Sequence, residues 1–410
     1  MIIFPTQGVY KTKMNSMVKQ IIENIHNELI SSELSNNIGL HGGTSGIALF
    51  LAYYERIIHN SQGINPKIME ILEHNIRMIN SGRLIHTICN GISGFGWLCE
   101  HLAKMEMLYR EDIEFLDELD SFLYNKMITD IKRGTYDFLH GALGVGTYFL
   151  TRFGIKDVRR YLNDLLFELE KSAILCENGA VKWMSILDVE TRIIGYNISL
   201  SHGLSSIAAF LIRLIQIDFE TERAKRLLNG TITYIVDQIT YTIGSISYFP
   251  SHSKESSTGS LHSRLGWCYG DLGIACVIRN AAVVLNNHEW EEIALKVLRF
   301  NCNRRNLDEN GIRDASLCHG SAGIAHIYLN LYSQTMIDEF KETADYWHNI
   351  TLQMAKYPDG LAGYKYWRGE KHGGYENCNT LLEGVAGIGL ALLSYIGKSN
   401  ISWDDCLMLT

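Results

Sequence analysis

Two kinds of apolar segment alternate along the chain. The first spaces its apolar residues at i, i+3 and i+4 and keeps charges on the other face. It recurs over residues 19–29, 67–79, 113–131, 158–174, 224–239, 291–300 and 340–355. At the second of these, Asn65 stands as an N-cap with Pro66 at the first helical position. The second kind is nearly free of charge, as in Ile47-Ala-Leu-Phe-Leu-Ala52, Ile274-Ala-Cys-Val-Ile278 and Ile388-Gly-Leu-Ala-Leu-Leu393. A helix with one charged face belongs at a surface, and a helix apolar all round belongs inside.

Each uncharged segment opens on Gly-x-x-Gly. The motif begins at Gly43, Gly91, Gly141, Gly270, Gly320 and Gly384, and a seventh copy, Gly203-Leu-Ser-Ser206, has serine at the second glycine. Repeats on this scale define the architecture. An amphipathic helix followed by an apolar one, seven times over, predicts an all-α fold: about fourteen helices in two concentric rings, an α/α toroid. We expect a single domain over residues 1–410. The glycines should let neighbouring inner helices approach closely, and all seven turns should gather at one end of the toroid, its mouth. Residues 176–201, 243–263 and 359–382 are longer connections, expected to form flaps or a small inserted lobe.

Composition narrows the picture. The hydrophobic fraction is 46%, and the four prolines lie in or beside connections. A net charge of −8, with no useful Lys/Arg run, argues against nucleic acid as a partner. The N-terminal stretch from Met1 to Pro5 lacks the features of a signal peptide, and apolar runs stop short of a transmembrane segment, so a cytoplasmic location is expected. Nine cysteines, an odd number without framework spacing, fit reduced thiols.

The two positions before each first glycine should line the mouth, and polar residues collect there. They are Cys268 and Tyr269, Cys318 and His319, Ser201 and His202, Leu139 and His140, Cys89 and Asn90, Leu382 and Glu383, with His41 and Gly42 in the first copy. Cys268, Cys318 and His319 come from consecutive repeats, whose helices should be neighbours. Two sulfurs and one imidazole suit zinc and leave one tetrahedral position open, which suggests a zinc enzyme that handles a thiol. Cys89 occupies the same register three repeats away, across the ring. His202 stands in the mouth one repeat earlier. Asp137 could orient or charge that imidazole, or be a loop carboxylate. Arg264, four residues before Cys268, could stabilise an anion or solvate its loop.

Trp267-Cys268-Tyr269-Gly270, Cys318-His319-Gly320, Ser201-His202-Gly203-Leu204 and Tyr136-Asp137 together resemble the signature of the lanthionine synthetase C-like family. The resemblance spans essentially the whole chain. It implies a double α/α toroid and one zinc ion per chain held by Cys268, Cys318 and His319. It also implies catalytic positions at His202, Asp137, Arg264 and Tyr269. No dehydratase or kinase sequence accompanies the repeats, which favours the free-standing cyclase type.

The reaction so implied is addition of a cysteine thiol to dehydroalanine or dehydrobutyrine in the same dehydrated precursor peptide, forming a thioether ring. A dehydratase and an exporter are the implied partners, in a modification complex that the cyclase joins peripherally at a membrane. Addition of glutathione to dehydroamino acids and non-catalytic, zinc-dependent thiol or peptide binding are the alternatives. A toroidal glycosidase would need paired carboxylates, and Asp137 and Glu383 stand on distant repeats. A prenyltransferase subunit would need a second-chain surface, of which the sequence has no sign.

Overall fold

The computed structural model describes residues 7–82, 85–188, 191–397 and 402–409; Met1 to Pro5 lies outside them. The seven uncharged segments form α2 (Thr44–Ile58), α4 (Ile92–Lys104), α6 (Ala142–Arg152), α8 (Leu204–Gln216), α10 (Asp271–Leu285), α12 (Ser321–Thr335) and α14 (Val385–Ile396). The amphipathic segments form α1 (Gln7–Ser31), α3 (Pro66–Asn80), α5 (Leu116–Lys132), α7 (Arg159–Ser172), α9 (Thr221–Asp237), α11 (His288–Cys302) and α13 (Asp338–Gln353). Burial separates the two sets as the patterning predicts. Every residue of α2 from Thr44 to Tyr54 is buried. In α3 only Ile68, Ile71, Leu72 and Asn75 are, which is one helical stripe. Asn65 caps α3 by accepting the Lys67 amide, with Pro66 in the first turn.

The inner helices close a ring. α2 packs on α4, α4 on α6, α6 on α8, α8 on α10, α12 on α14, and α14 on α2, and Arg279 of α10 donates to Gln334 of α12 at 2.5 Å. The outer helices lie against them: α1 on α14 and α2, α9 on α8 and α10, α13 on α12. The long connections hold three two-stranded sheets. β1 (Ile174–Leu175) pairs with β2 (Val181–Lys182), and β3 (Ser185–Asp188) with β4 (Ile193–Gly195). β5 (Tyr366–Trp367) pairs with β6 (Tyr375–Glu376), while residues 243–263 form neither helix nor strand. A 3-10 turn over Trp403–Leu407, which the patterning does not predict, is buried inside the ring.

The turns at the mouth are joined to one another by backbone hydrogen bonds. Leu40 N–H donates to Ile88 O at 3.0 Å, and Cys89 N–H to Leu139 O at 3.1 Å. Leu200 N–H donates to Cys268 O at 3.1 Å, and Trp267 N–H to Cys318 O at 3.0 Å. Cys318 N–H donates to Leu382 O at 2.9 Å, and Leu382 N–H to His41 O at 3.0 Å, which returns to the first turn. Among the described residues no backbone bond joins the third turn to the fourth.

The glycines serve this seam more than the helix spacing expected of them. A Cβ on the first glycine of a motif meets the chain's own carbonyl six residues upstream, at 1.9 Å from Ile85 O for Gly91 and 2.3 Å from Asn197 O for Gly203. Gly270 alone among the seven first glycines has a positive φ, +100°, which disfavours any side chain. Contact with the preceding repeat arises at the second glycine: a Cβ on Gly387 would sit 1.9 Å from Leu381 O and 2.7 Å from the Leu317 side chain. Ser206 replaces that glycine in the fourth copy and turns its hydroxyl back onto Gly203 O at 2.7 Å. Gly387→Ala should therefore cost roughly 1–3 kcal/mol, as overpacking does. Ser206→Gly should cost about 1 kcal/mol or less, the worth of one hydrogen bond. Thermal unfolding followed by circular dichroism orders the two, and an unchanged midpoint in Gly387→Ala would contradict the packing described.

Candidate metal centre

The fifth and sixth turns lie side by side because one carbonyl serves both. Cys318 O accepts from Trp267 N–H at 3.0 Å and from Cys268 N–H at 3.3 Å. That sharing brings the two sulfurs together, and the residue after Cys318 supplies the ring. Cys268 Sγ lies 4.0 Å from His319 Nδ1. One ligand atom from each of Cys268, Cys318 and His319 falls within 4.8 Å of the others, close enough to converge on one metal ion. Both cysteines are buried and His319 is half-buried.

The electrostatics suit a cationic guest. The Cys318 thiol holds the Cys268 thiol well below its usual range; burial opposes this, and His319 and Arg264 assist. Cys318 moves the other way, because its neighbour takes the first negative charge and burial penalises a second. Soft sulfur donors with an imidazole make the set appropriate to a thiophilic ion.

A second pair stands on the neighbouring turns, where Ser201 N–H donates to Cys268 O at 3.3 Å. His202 Nδ1 lies 2.5 Å from Asp137 Oδ2, and this contact joins the third and fourth turns where the backbone seam is missing. Burial alone would lower the His202 imidazolium, but the hydrogen bond and charge of Asp137, helped by Cys268, carry it upward. Asp137 is lowered despite its own burial, by His202 first and His140 after. Asp137 Oδ1 also accepts the His140 amide at 2.8 Å, which fixes the carboxylate. The His140 ring stacks on His202 at 5.8 Å.

Tyr269 extends the same cluster. Its ring lies 5.9 Å from His202, and its hydroxyl accepts from Asn197 Nδ2 at 3.1 Å. Arg264 is exposed and forms no hydrogen bond or ion pair among the described residues, while its charge acts on Cys268, Cys318 and His319. Glu383 is also at the mouth, where it accepts from the Tyr366 hydroxyl at 2.9 Å and raises Cys318. Two residues of the mouth register are not drawn in. Cys89 stays outside the cluster, its thiol pushed up to about 12 by burial first. His41 is fully buried and spends Nε2 on Cys406 O at 2.8 Å.

Three supporting residues escape a reading confined to the two slots before each glycine. Asn37, Asn197 and Asp314 each stand six residues before a first glycine, and each side chain accepts the amide two residues on, at 3.1, 2.9 and 2.9 Å. These are Asx turns, and an Asn or Asp recurring at one offset was the signal available. Asp314 also accepts the Trp367 amide at 2.9 Å, which ties the β5–β6 hairpin to the sixth turn. Tyr136 and Ser185 are hydrogen-bonded, so the β3–β4 hairpin is tied in the same way beside Asp137.

A closed ring of helix pairs with a Cys-Cys-His cluster and a paired imidazole at one mouth defines the class. The chain belongs to the lanthionine synthetase C-like family, whose sequence pattern it matches over residues 11–408. Among its relatives, the nisin biosynthesis protein NisC of Lactococcus lactis subsp. lactis is 23% identical over 409 residues, covering 90% of this chain and 88% of that one. A solved nisin cyclase structure has the same fold, with a TM-score of 0.68 at 18% identity over 97% of this chain and 98% of that chain.

Two outcomes are expected. Cys268→Ala and Cys318→Ala should each abolish stoichiometric metal in the purified protein, and Cys89→Ala should not; elemental analysis decides, and equal loss in all three would contradict the cluster. The His202–Asp137 pair should stabilise the fold fully between about pH 4 and 6.5, the ordinary carboxylate and imidazole values. Its contribution should fade as pH rises through the raised His202 value or falls through the lowered Asp137 value. Asp137→Asn should return His202 to or below the usual imidazole range, read from its ring-proton NMR titration. An unmoved titration would show that Asp137 does not set it.

Proposed function

We propose that this protein is a zinc-dependent lanthionine cyclase. On this reading it adds a cysteine thiol to a dehydroalanine or dehydrobutyrine of a dehydrated precursor peptide, closing a thioether ring. The observation that carries the proposal is the convergence of Cys268, Cys318 and His319 within 4.8 Å, on turns next to that of the His202–Asp137 pair. Family membership supports the reaction class. Cys268, Cys318 and His319 would hold the zinc, which when bound supplies a Lewis acid that ionises a thiol at neutral pH.

The chain's own groups account for the protons. Because Nδ1 of His202 is held by Asp137, Nε2 is the nitrogen available to the reactants. In the first half-reaction Nε2 accepts the proton of the substrate thiol. The sulfur forms its bond to the β-carbon, and the double-bond electrons move onto the adjacent carbonyl as an enolate. In the second, the imidazolium returns its proton to the α-carbon. No proton is gained or lost overall, and Asp137 holds the imidazolium between the two halves. Arg264, with no competing ion pair, supplies a positive field for the enolate. Tyr269, held by Asn197, shapes the wall beside His202.

We place the reaction in the cytoplasm, on a peptide delivered by a dehydratase and later taken by an exporter. No helix among the described residues is long and apolar enough to cross a membrane. The test is a peptide carrying one dehydroalanine and one cysteine, incubated with purified protein and then titrated with a thiol-alkylating reagent. Parent protein should consume the thiol, Cys318→Ala should leave it alkylatable, and His202→Ala should slow closure by about 10²–10⁴-fold. Full cyclisation by the metal-free protein would refute the proposal. Transfer of free glutathione in preference to ring closure would move the assignment to an intermolecular thiol transferase.

A further inference from the structure

Residues 402–409 run through the middle of the inner ring and meet the turns of the mouth from within. The segment is anchored on four inner helices: Arg213 of α8 donates to Asp405 Oδ1 at 3.2 Å and Asn280 of α10 to Leu409 O at 2.9 Å, beside bonds to α12 and α14. Asp404, 2% exposed, is bound by His326 Nε2 at 3.0 Å and by Asn330, both on α12. Trp403 Nε1 donates to Ser394 Oγ on α14 at 2.9 Å. Two carbonyls at the far end then accept from the mouth. Cys406 O takes His41 Nε2 at 2.8 Å, and Leu407 O takes Trp267 Nε1 at 2.8 Å.

Trp267 immediately precedes Cys268, and that cysteine lies between Gly266 and Gly270, the latter at φ +100°. A turn flanked by two glycines has little rigidity of its own. Of its two large side chains Tyr269 is half-buried, whereas the Trp267 indole is 1% exposed, so an unmade N–H bond there would leave a buried donor unsatisfied. The indole also packs edge-on against Phe138, the neighbour of Asp137, at 6.5 Å; His41 packs on the same ring at 5.6 Å. One short segment thus bears on the turns of Cys268 and His41 directly, and on that of Asp137 through Phe138.

We infer that residues 402–409 are a template that sets the direction of the Cys268 sulfur, with Trp267 as the positioning residue that transmits it. The inference rests on the metal-centre reading and extends it to a part of the chain remote from the ligands. Two variants test it. Trp267→Phe keeps one ring while removing the donor and part of the buried indole volume, and Asp404→Asn keeps the side-chain shape while releasing the charge that binds α12. Each is loaded with cobalt(II), and affinity is measured by competition with a chromogenic chelator, beside the sulfur-to-cobalt absorption band and the thermal midpoint.

Trp267→Phe should bind cobalt about 10-fold more weakly, as loss of an outer support typically does. Asp404→Asn should weaken it several-fold, and both should shift the absorption band while the midpoint stays within a few degrees. Parent-like affinity and absorption in the variants would overturn the inference and leave the metal centre standing. If Trp267→Phe does not fold, Asp404→Asn decides alone by the same criterion. A parent protein that binds no cobalt would overturn the metal centre and this inference together.

Discussion

All but one of the turns at the mouth of the ring spend a backbone amide on the carbonyl of the next, and the whole arrangement depends on that seam. Six of the seven turn-to-turn links are of this kind, from Leu40 to Ile88 around to Leu382 and His41. A single such bond contributes only about 1 kcal/mol net, but the links share a closed path and none can slip alone. Their register places Cys268 beside Cys318. The glycines are what allow it, since a Cβ at the first position of a motif would collide with the carbonyl that turns the chain.

The missing seventh link is informative. Between the third and fourth turns the joint is the contact of His202 with Asp137. A side-chain joint costs the seam some stiffness and gives the mouth a titratable pair at the same place. The next turns carry the two sulfurs, one thiol held low and the other pushed high by its neighbour and burial. The mouth therefore holds an imidazole–carboxylate pair beside a Cys-Cys-His set, with the Tyr269 ring against His202 and the Arg264 charge acting on Cys268.

Much of this was legible in the residues. The contrast between segments charged on one face and segments apolar throughout separated outer from inner helices, because burial on all sides leaves no place for charge. The shared offset from Gly270 and Gly320 brought Cys268, Cys318 and His319 into one register, and the fold sets their ligand atoms together. The same offset overreached at His41, which hydrogen-bonds into the ring interior, while Cys89, set across the ring by its repeat number, lies outside the cluster. The hairpins were invisible because strands of two to four residues are too short to show a period. Tyr366, which reaches Glu383 from one of them, was hidden for the same reason. The burial of residues 402–409 could not be read either: it depends on partners such as His326 and Trp267, more than 70 residues away, and no local pattern encodes that.

On this reading a closed ring of helices brings two sulfurs and one imidazole onto a single metal and leaves one position for a substrate. X-ray absorption at the zinc edge of the purified, zinc-loaded protein measures it most directly. Two sulfur scatterers at about 2.3 Å with two lighter neighbours at about 2.0–2.1 Å are expected, and one lighter neighbour should be replaced by a third sulfur when a small thiol is added. A shell of nitrogen and oxygen alone, or a thiol that leaves the sulfur count unchanged, would contradict the account.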